Sequence, residues 1–287
     1  MITASDSEHM RLRRLASPAF LMSGVLEVEP VLQHYTDLLC SQLAISAKEA
    51  RSENMVSYFL WTLNDVIGQL ALDQEFQCLE KRRLHPWPSY LLAILKQTAL
   101  FNQFRRFGVS LKFLAPFLPE RVKVERERFL GLATRATATR LKREEDSESD
   151  GEKSADKGKK RPDIVGLMLR QMKSGERLTE PEITANSILI VGGGAETTST
   201  CLSATLYHLC KTPRVMKKLR DEIRSTFATS EDITIRATSN DLPYLKATID
   251  ESLRIFPVAS YITPRVTTGG CVVDGEVVPE GVSYCLC

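Results

Sequence analysis

The stretch that decides the fold reads Val191-Gly192-Gly193-Gly194-Ala195-Glu196-Thr197-Thr198. It lies inside a segment whose start is marked by Thr179 before Glu180 and Pro181, an N-cap followed by an acidic first turn that accepts proline. The pattern predicts one helix from Thr179 to about Lys211. Each glycine in a helix interior costs about 1 kcal/mol relative to alanine, so three in a row need a reason. Two readings supply one. Either a ligand lies against the helix backbone, or a second helix packs closely on Gly and Ala while Glu196 stays solvated. Glu196 beside two hydroxyls would add proton-relay groups to the first reading. A phosphate cradle fits poorly: G-x-G-x-x-G counted from Gly192 meets Thr197 where glycine is required, and no Gly-Lys-Ser/Thr follows.

Outward from this segment, helical periodicity dominates. Upstream, Val31, Leu32, Tyr35, Leu38, Leu39 and Leu43 recur at three- and four-residue intervals and predict an amphipathic helix from Glu27 to about Ala50. Further helices are expected over Met55 to Leu72, Tyr90 to Phe104, Arg121 to about Arg143, and Asp163 to Met172. Residues 142–161, KREEDSESDGEKSADKGKKR, hold no large apolar side chain and are expected to form a disordered, charged surface loop. Downstream, Thr212-Pro213 restarts a helix bearing Val215, Met216, Leu219, Ile223 and Phe227 on one face. Leu242 to Phe256 forms another, bracketed by Pro243 and Pro257. Asp274-Gly275 between two valine pairs then signals a β-hairpin. No internal repeat is visible.

Composition narrows the function classes. The 287 residues carry 38 Lys and Arg against 36 Asp and Glu, a net charge of +2, which is too balanced to steer nucleic acid. An apolar share of 43% with 26% charged residues is that of a globular chain. Seven cysteines are scattered without a C-x-x-C pair or a cluster with the four histidines, so neither a disulfide scaffold nor a structural zinc site is expected. The polar run from Met1 to Arg14 has no signal-peptide core, and no apolar stretch approaches the roughly 20 residues of a membrane span.

Two more features stand out. Glu251 and Arg254 are three apart on one helix face, the spacing of an ion pair that is ordinarily exposed. His9 and Arg13 are four apart, so on a helix they share a face, as an anion clamp requires.

The order of these features resembles the haem-thiolate monooxygenases, the cytochromes P450. Carrying the resemblance are Gly193-Gly194-Ala195-Glu196-Thr197-Thr198, Glu251-Ser-Leu-Arg254 before Phe256-Pro257, and Pro264-Arg265 ahead of a hairpin closing in Val278-Pro279-Glu280-Gly281. Glu8-His9-Met-Arg-Leu-Arg13-Arg14 through Pro18-Ala19-Phe20 is similar to their helix along the haem edge. The likeness extends over nearly the whole chain and implies a mainly α P450 fold with a small hairpin region near the C-terminus. It also implies that residues 1–287 are part of one larger domain, with an N-terminal anchor and first helices ahead and the haem-ligand region beyond.

The resemblance further implies site roles. Gly193 and Gly194 would open a groove for dioxygen and substrate, Thr197 would hydrogen-bond the activated oxygen, and Glu196 would belong to the proton relay. His9, Arg13 and Arg265 would hold the carboxylates of haem b. Glu251 and Arg254 would be structural members of a buried charge network. The family's thiolate turn, Phe-x-x-Gly-x-Arg-x-Cys-x-Gly, is not found in this sequence, and Cys271, Cys285 and Cys287 lack its flanking residues, so none is expected to ligate iron.

The implied parent enzyme hydroxylates a small lipophilic molecule with O2 and electrons from NADPH-cytochrome P450 reductase, at the endoplasmic reticulum membrane. The charged loop and basic start are similar to fungal secondary-metabolism members. This chain alone is expected to be inactive. The alternative is a non-catalytic helical fragment that binds lipophilic ligands or protein partners.

Overall fold

The computed structural model describes residues 6–90, 120–149, 163–170, 178–259, 265–267 and 269–284. The described chain is mainly helical: α1 (Asp6–Ala16), α2 (Met22–Glu27), α3 (Glu29–Lys48), α4 (Met55–Leu72), α5 (Cys78–Lys81), α6 (Glu120–Ser149), α7 (Ile164–Arg170), α8 (Glu180–Lys211), α9 (Pro213–Thr226), α10 (Ile235–Asp241) and α11 (Pro243–Ile255). Residues 86–90 are also helical, while 91–104, the rest of the helix expected from Tyr90, lie outside the described residues.

The helix expected from Glu27 is divided at Val28, because Glu29-Pro30 starts a fresh first turn in which the missing proline N–H has no helical partner to lose. A second correction concerns the charged stretch. Lys142 to Ser149, expected as loop, continues α6. Lys, Arg and Glu are good helix formers whatever their polarity, and Arg143 secures this end by donating to the Asp73 carbonyl at 3.0 Å and to its carboxylate at 3.2 Å. Residues 150–161 lie outside the described residues.

The framework is built around α8, which lies along α4 and also meets α6, α9 and α11. Its start is fixed as the sequence predicts. Thr179 and Glu182 form a reciprocal capping box, which satisfies donors that a helix N-terminus leaves open. The main core joins Leu12 and Leu15 of α1, Leu72 of α4, Phe129 and Ala133 of α6, Met168 of α7 and Val191 of α8. Trp87 sits edge-on to Phe76 with ring centroids 5.6 Å apart. A smaller cluster of Val31, Tyr35 and Val66 fastens α3 to α4.

Two buried polar ties set the helix positions. Asp65 of α4 accepts from the N–H groups of Cys78 and Leu79 at 2.8 and 2.9 Å, capping α5 from across the chain. Arg140 of α6 pairs with Asp163 at 2.5 Å, and Asp163 also accepts from the Gly166 N–H at 2.6 Å, capping α7. Both carboxyls are pushed up in pKa by burial, against the pull of these donors.

The strands are short. β2 (Cys271–Val273) and β3 (Glu276–Val278) form the expected antiparallel hairpin, with Val272 opposite Val277. Asp274 and Gly275 at its turn have φ of 51° and 83°, the left-handed pair that a two-residue hairpin turn of this hand demands. β1 (Arg265–Val266) pairs with β4 (Ser283–Tyr284) in a second two-stranded sheet that hairpin periodicity did not predict. Buried Thr267 links the two sheets by donating its hydroxyl to the Pro279 carbonyl at 2.6 Å.

Candidate functional site

The glycine segment has two unlike faces. At about 100° per residue, Val191, Ala195 and Ser199 fall on one side and Gly193 and Thr197 on the opposite side. Val191, Ala195 and Ser199 are buried, and Gly193 and Thr197 are exposed. Among the described residues a Cβ placed on Gly193 would meet nothing within 4 Å, whereas one on Gly194 would lie 2.7 Å from Cδ1 and 2.9 Å from Cγ1 of Ile67 on α4. The two glycines therefore differ: Gly194 admits the neighbouring helix α4, and Gly193 is exposed among the described residues.

Thr197 donates its hydroxyl to the Gly193 carbonyl at 2.6 Å, one turn back. A side-chain hydroxyl on an i−4 carbonyl competes with the helix ladder and tends to bend the helix. Glu196 is half-buried and turns the other way, toward a cavity of about 10 Å³ lined by Leu60, Asn64, Pro88, Val191, Gly192 and Ala195. Its Oε2 is buried with no hydrogen-bond partner among the described residues. The acid and the hydroxyl are thus neighbours in sequence that face different compartments.

His9 is half-buried and Arg13 exposed on α1, with Ser17 donating to the Arg13 carbonyl at 2.8 Å. Arg265 begins β1, and its backbone pairs with Tyr284. Glu251 and Arg254 do meet, through two hydrogen bonds of 2.7 Å each. Within this chain the pair is exposed, 54% of the Glu251 and 70% of the Arg254 side chain, and the buried network that the resemblance implies belongs to the larger domain. Nothing among the described residues covers that flank of α11, so solvent screens the charges. The Arg254 hydrogen bonds still draw the Glu251 pKa down.

Beside this pair, α8, α9 and α11 enclose an open groove of about 360 Å³, lined in part by Leu209, Val215, Ala247 and Ile255. Glu222 of α9 holds α11 in place by accepting from the Tyr244 and Leu245 N–H groups at 2.8 and 2.9 Å. Lys218 lies 4.4 Å from the Tyr244 ring centroid.

The described cysteines lie in different environments. Cys78 is fully buried, and burial above all pushes its pKa to about 12, the reverse of what a ligand needs. Cys40 and Cys210 are exposed, Cys201 and Cys271 are half-buried, and Cys285 and Cys287 lie outside the described residues. Among the described residues no group of three or more His, Cys, Asp or Glu is arranged to hold a metal ion. No described helix is long and apolar enough to cross a membrane.

The cytochrome P450 family profile matches residues 1–286. The chain belongs to the cytochrome P450 family. This P450 chain is 34% identical over 286 residues to cytochrome P450 monooxygenase traB of Penicillium crustosum, covering 98% of the chain and 53% of that protein. It is 33% identical to the trichothecene C-15 hydroxylase of Fusarium sporotrichioides (97% of the chain, 55% of the relative). Its identity to the versicolorin B desaturase of Aspergillus parasiticus is 34% (99% and 55%). All three relatives are fungal, and the P450 chain spans about half of their length. The cytochrome P450DA heme domain superposes with a TM-score of 0.69 at 20% identity, over 94% of the chain and 55% of that domain, which supports the fold.

Sequence reading missed Arg11, whose guanidinium pairs with Glu182 and so ties α1 to the start of α8. The signal was partial: Glu182 at the third helical position announces a capping box, but nothing local announces a partner 171 residues away.

Proposed function

We propose that this chain forms the oxygen-facing and carboxylate-binding part of a haem-thiolate monooxygenase acting on a small lipophilic molecule. The observation that carries the reading is the open backbone at Gly193 with the Thr197 hydroxyl at its edge, backed by Glu196 on the buried side of the same turn. The chemistry of these residue types suits one side of a haem. Gly193 presents backbone without a side chain to a flat ring, while His9, Arg13 and Arg265 are donors suited to its two carboxylates.

When bound, haem supplies the reduction of O2, so that one oxygen atom enters the substrate C–H bond and the other leaves as water after two electrons and two protons are taken up. The chain's own residues do the rest. Thr197 offers a hydroxyl at the open face, and Glu196, the adjacent acid in the chain, would belong to the proton relay. Gly194 lets α8 and α4 approach, which fixes the depth at which Thr197 is presented.

The whole protein is read as a fungal secondary-metabolism enzyme at the endoplasmic reticulum membrane that receives electrons from NADPH-cytochrome P450 reductase. The fungal hydroxylase and desaturase relatives support this reading. Residues 1–287 alone are inactive in this proposal, because no cysteine in the sequence has the flanking Phe, Gly and Arg of the family's thiolate turn. The test is the reduced, carbon monoxide-bound spectrum of the chain after incubation with haem. The expected spectrum has no thiolate-type Soret band, and its appearance would overturn the claim.

A further inference from the structure

Arg11 lies on α1 between His9 and Arg13, and its guanidinium bonds Oε1 of Glu182 on α8. The other carboxylate oxygen accepts from the Thr179 N–H at 2.8 Å and the Thr179 hydroxyl at 3.0 Å. One side chain therefore closes the cap of α8 and grips α1 together.

Helix geometry gives this grip a direction. At about 100° per residue from His9, Arg13 lies at about 40°, the buried Leu12, Leu15 and Ala16 at about 240–340°, and Arg11 at about 200°. Arg11 thus borders one edge of the buried stripe, and His9 with Arg13 borders the other. Apolar contact is non-directional and lets a short helix rock about its axis, whereas a charge-assisted guanidinium–carboxylate bond is directional. A roll of about 20° would carry a side-chain tip about 5–6 Å from the axis through about 2 Å. That displacement is enough to break a hydrogen bond, whose useful range spans about 0.5 Å.

We propose that Arg11, held by Glu182, is a positioning residue that sets the roll of α1 and so aims His9 and Arg13 at the haem carboxylates. The inference rests on the haem reading above. It joins the helix that would hold the carboxylates to the helix that bears Glu196 and Thr197, through a contact independent of the core.

The test uses the haem-loaded full-length protein with Arg11→Met, which keeps the apolar stem, and Glu182→Gln, which keeps a capping-box acceptor. At 29% and 25% side-chain exposure, neither substitution opens the core. Amide hydrogen exchange is followed over α1 and the first turn of α8, alongside haem transfer to excess apomyoglobin. Each variant is expected to speed both α1 exchange and haem loss by about two- to fivefold, the range a part-exposed ion pair supports, while the first turn of α8 stays protected. The double variant should add nothing further.

Arg13→Gln separates the two claims, because it should speed haem loss without loosening α1. If Arg13→Gln speeds haem loss and the Arg11 and Glu182 variants do not, the positioning role is overturned and the haem reading stands. If Arg13→Gln and His9→Ala both leave haem loss unchanged, the carboxylate assignment falls and the positioning role falls with it.

Discussion

Gly193 and Gly194 are adjacent, yet the same substitution at each is expected to act with opposite sign. Alanine in either place gains about 1 kcal/mol of helix propensity over glycine. At 193 that gain stands unopposed by any described residue, since the new Cβ meets none of them within 4 Å. At 194 the Cβ would lie 2.7 Å from Ile67 Cδ1 and 2.9 Å from Cγ1. The terminal methyl can turn away through χ2. Cγ1 cannot move without changing χ1, and a helical isoleucine has one strongly preferred χ1, populated about 90% of the time. Overpacking of this kind costs about 1–3 kcal/mol. The propensity gain is common to both variants and cancels in the comparison, so Gly194→Ala should be less stable than Gly193→Ala by about 1–3 kcal/mol.

Urea unfolding followed by far-ultraviolet circular dichroism measures the difference, and thermal unfolding should show it as a gap of at least about 2 °C. Combining Gly194→Ala with Ile67→Ala closes a double-mutant cycle, with an expected coupling of at least about 0.5 kcal/mol because the two sites touch. If Gly194→Ala proves as stable as Gly193→Ala, or the coupling is zero, then close approach of α4 is not why glycine stands at 194.

Other substitutions test other ties. Arg140→Met leaves Asp163 buried without its cation and should destabilise by about 3–5 kcal/mol in urea titrations, whereas removing both partners with Arg140→Met and Asp163→Leu should cost less. Asp65→Asn gives up a charged acceptor shared by two N–H groups and should cost about 1–3 kcal/mol, with faster amide exchange at Cys78 and Leu79. Acid should loosen α1 through Glu182. Burial alone raises the Glu182 pKa, but the Thr179 and Arg11 interactions together outweigh it and hold the group below its ordinary 4.5. A depressed carboxylate contributes stability that is present above the unfolded value and lost as pH falls through the folded one. Exchange over α1 should therefore accelerate below pH 4.5 in the parent chain, and Glu182→Gln should remove that pH dependence.

Much of this architecture is legible in local sequence, because local rules fix it. The Thr179 cap, the span of α8, the start of α4 at Met55 and the Asp274-Gly275 turn all follow from propensities within a few residues. What escaped is what distance in sequence hides. Arg11–Glu182, Arg140–Asp163 and the Asp65 cap of α5 join residues that share no window, so no periodicity could announce them. The stretch from Lys142 to Ser149 differs from expectation for another reason: polarity argues against a buried helix, but the end of a helix needs only helix-forming residues and an anchor, which Arg143 provides. The Glu251–Arg254 spacing foretold contact and could not foretell burial, which depends on elements outside α11.

Thr197 separates stability from chemistry, because its side chain serves no packing purpose in the described structure. It is exposed, and its hydroxyl returns to the Gly193 carbonyl at 2.6 Å. Back-bonding of this kind slightly weakens a helix, and valine keeps the shape of threonine without the hydroxyl. Thr197→Val should thus change the unfolding free energy by no more than about 0.5 kcal/mol, the usual range for a surface site free of such features. If the hydroxyl works at the open face, the same substitution in the haem-loaded full-length enzyme should lower product formed per NADPH consumed, while Thr197→Ser, which keeps the hydroxyl, retains most of it. A large loss of stability in Thr197→Val would show that the residue is structural. Unchanged coupling of NADPH use to product would remove Thr197 from the relay and leave Gly193 as an opening without a chemical group at its edge.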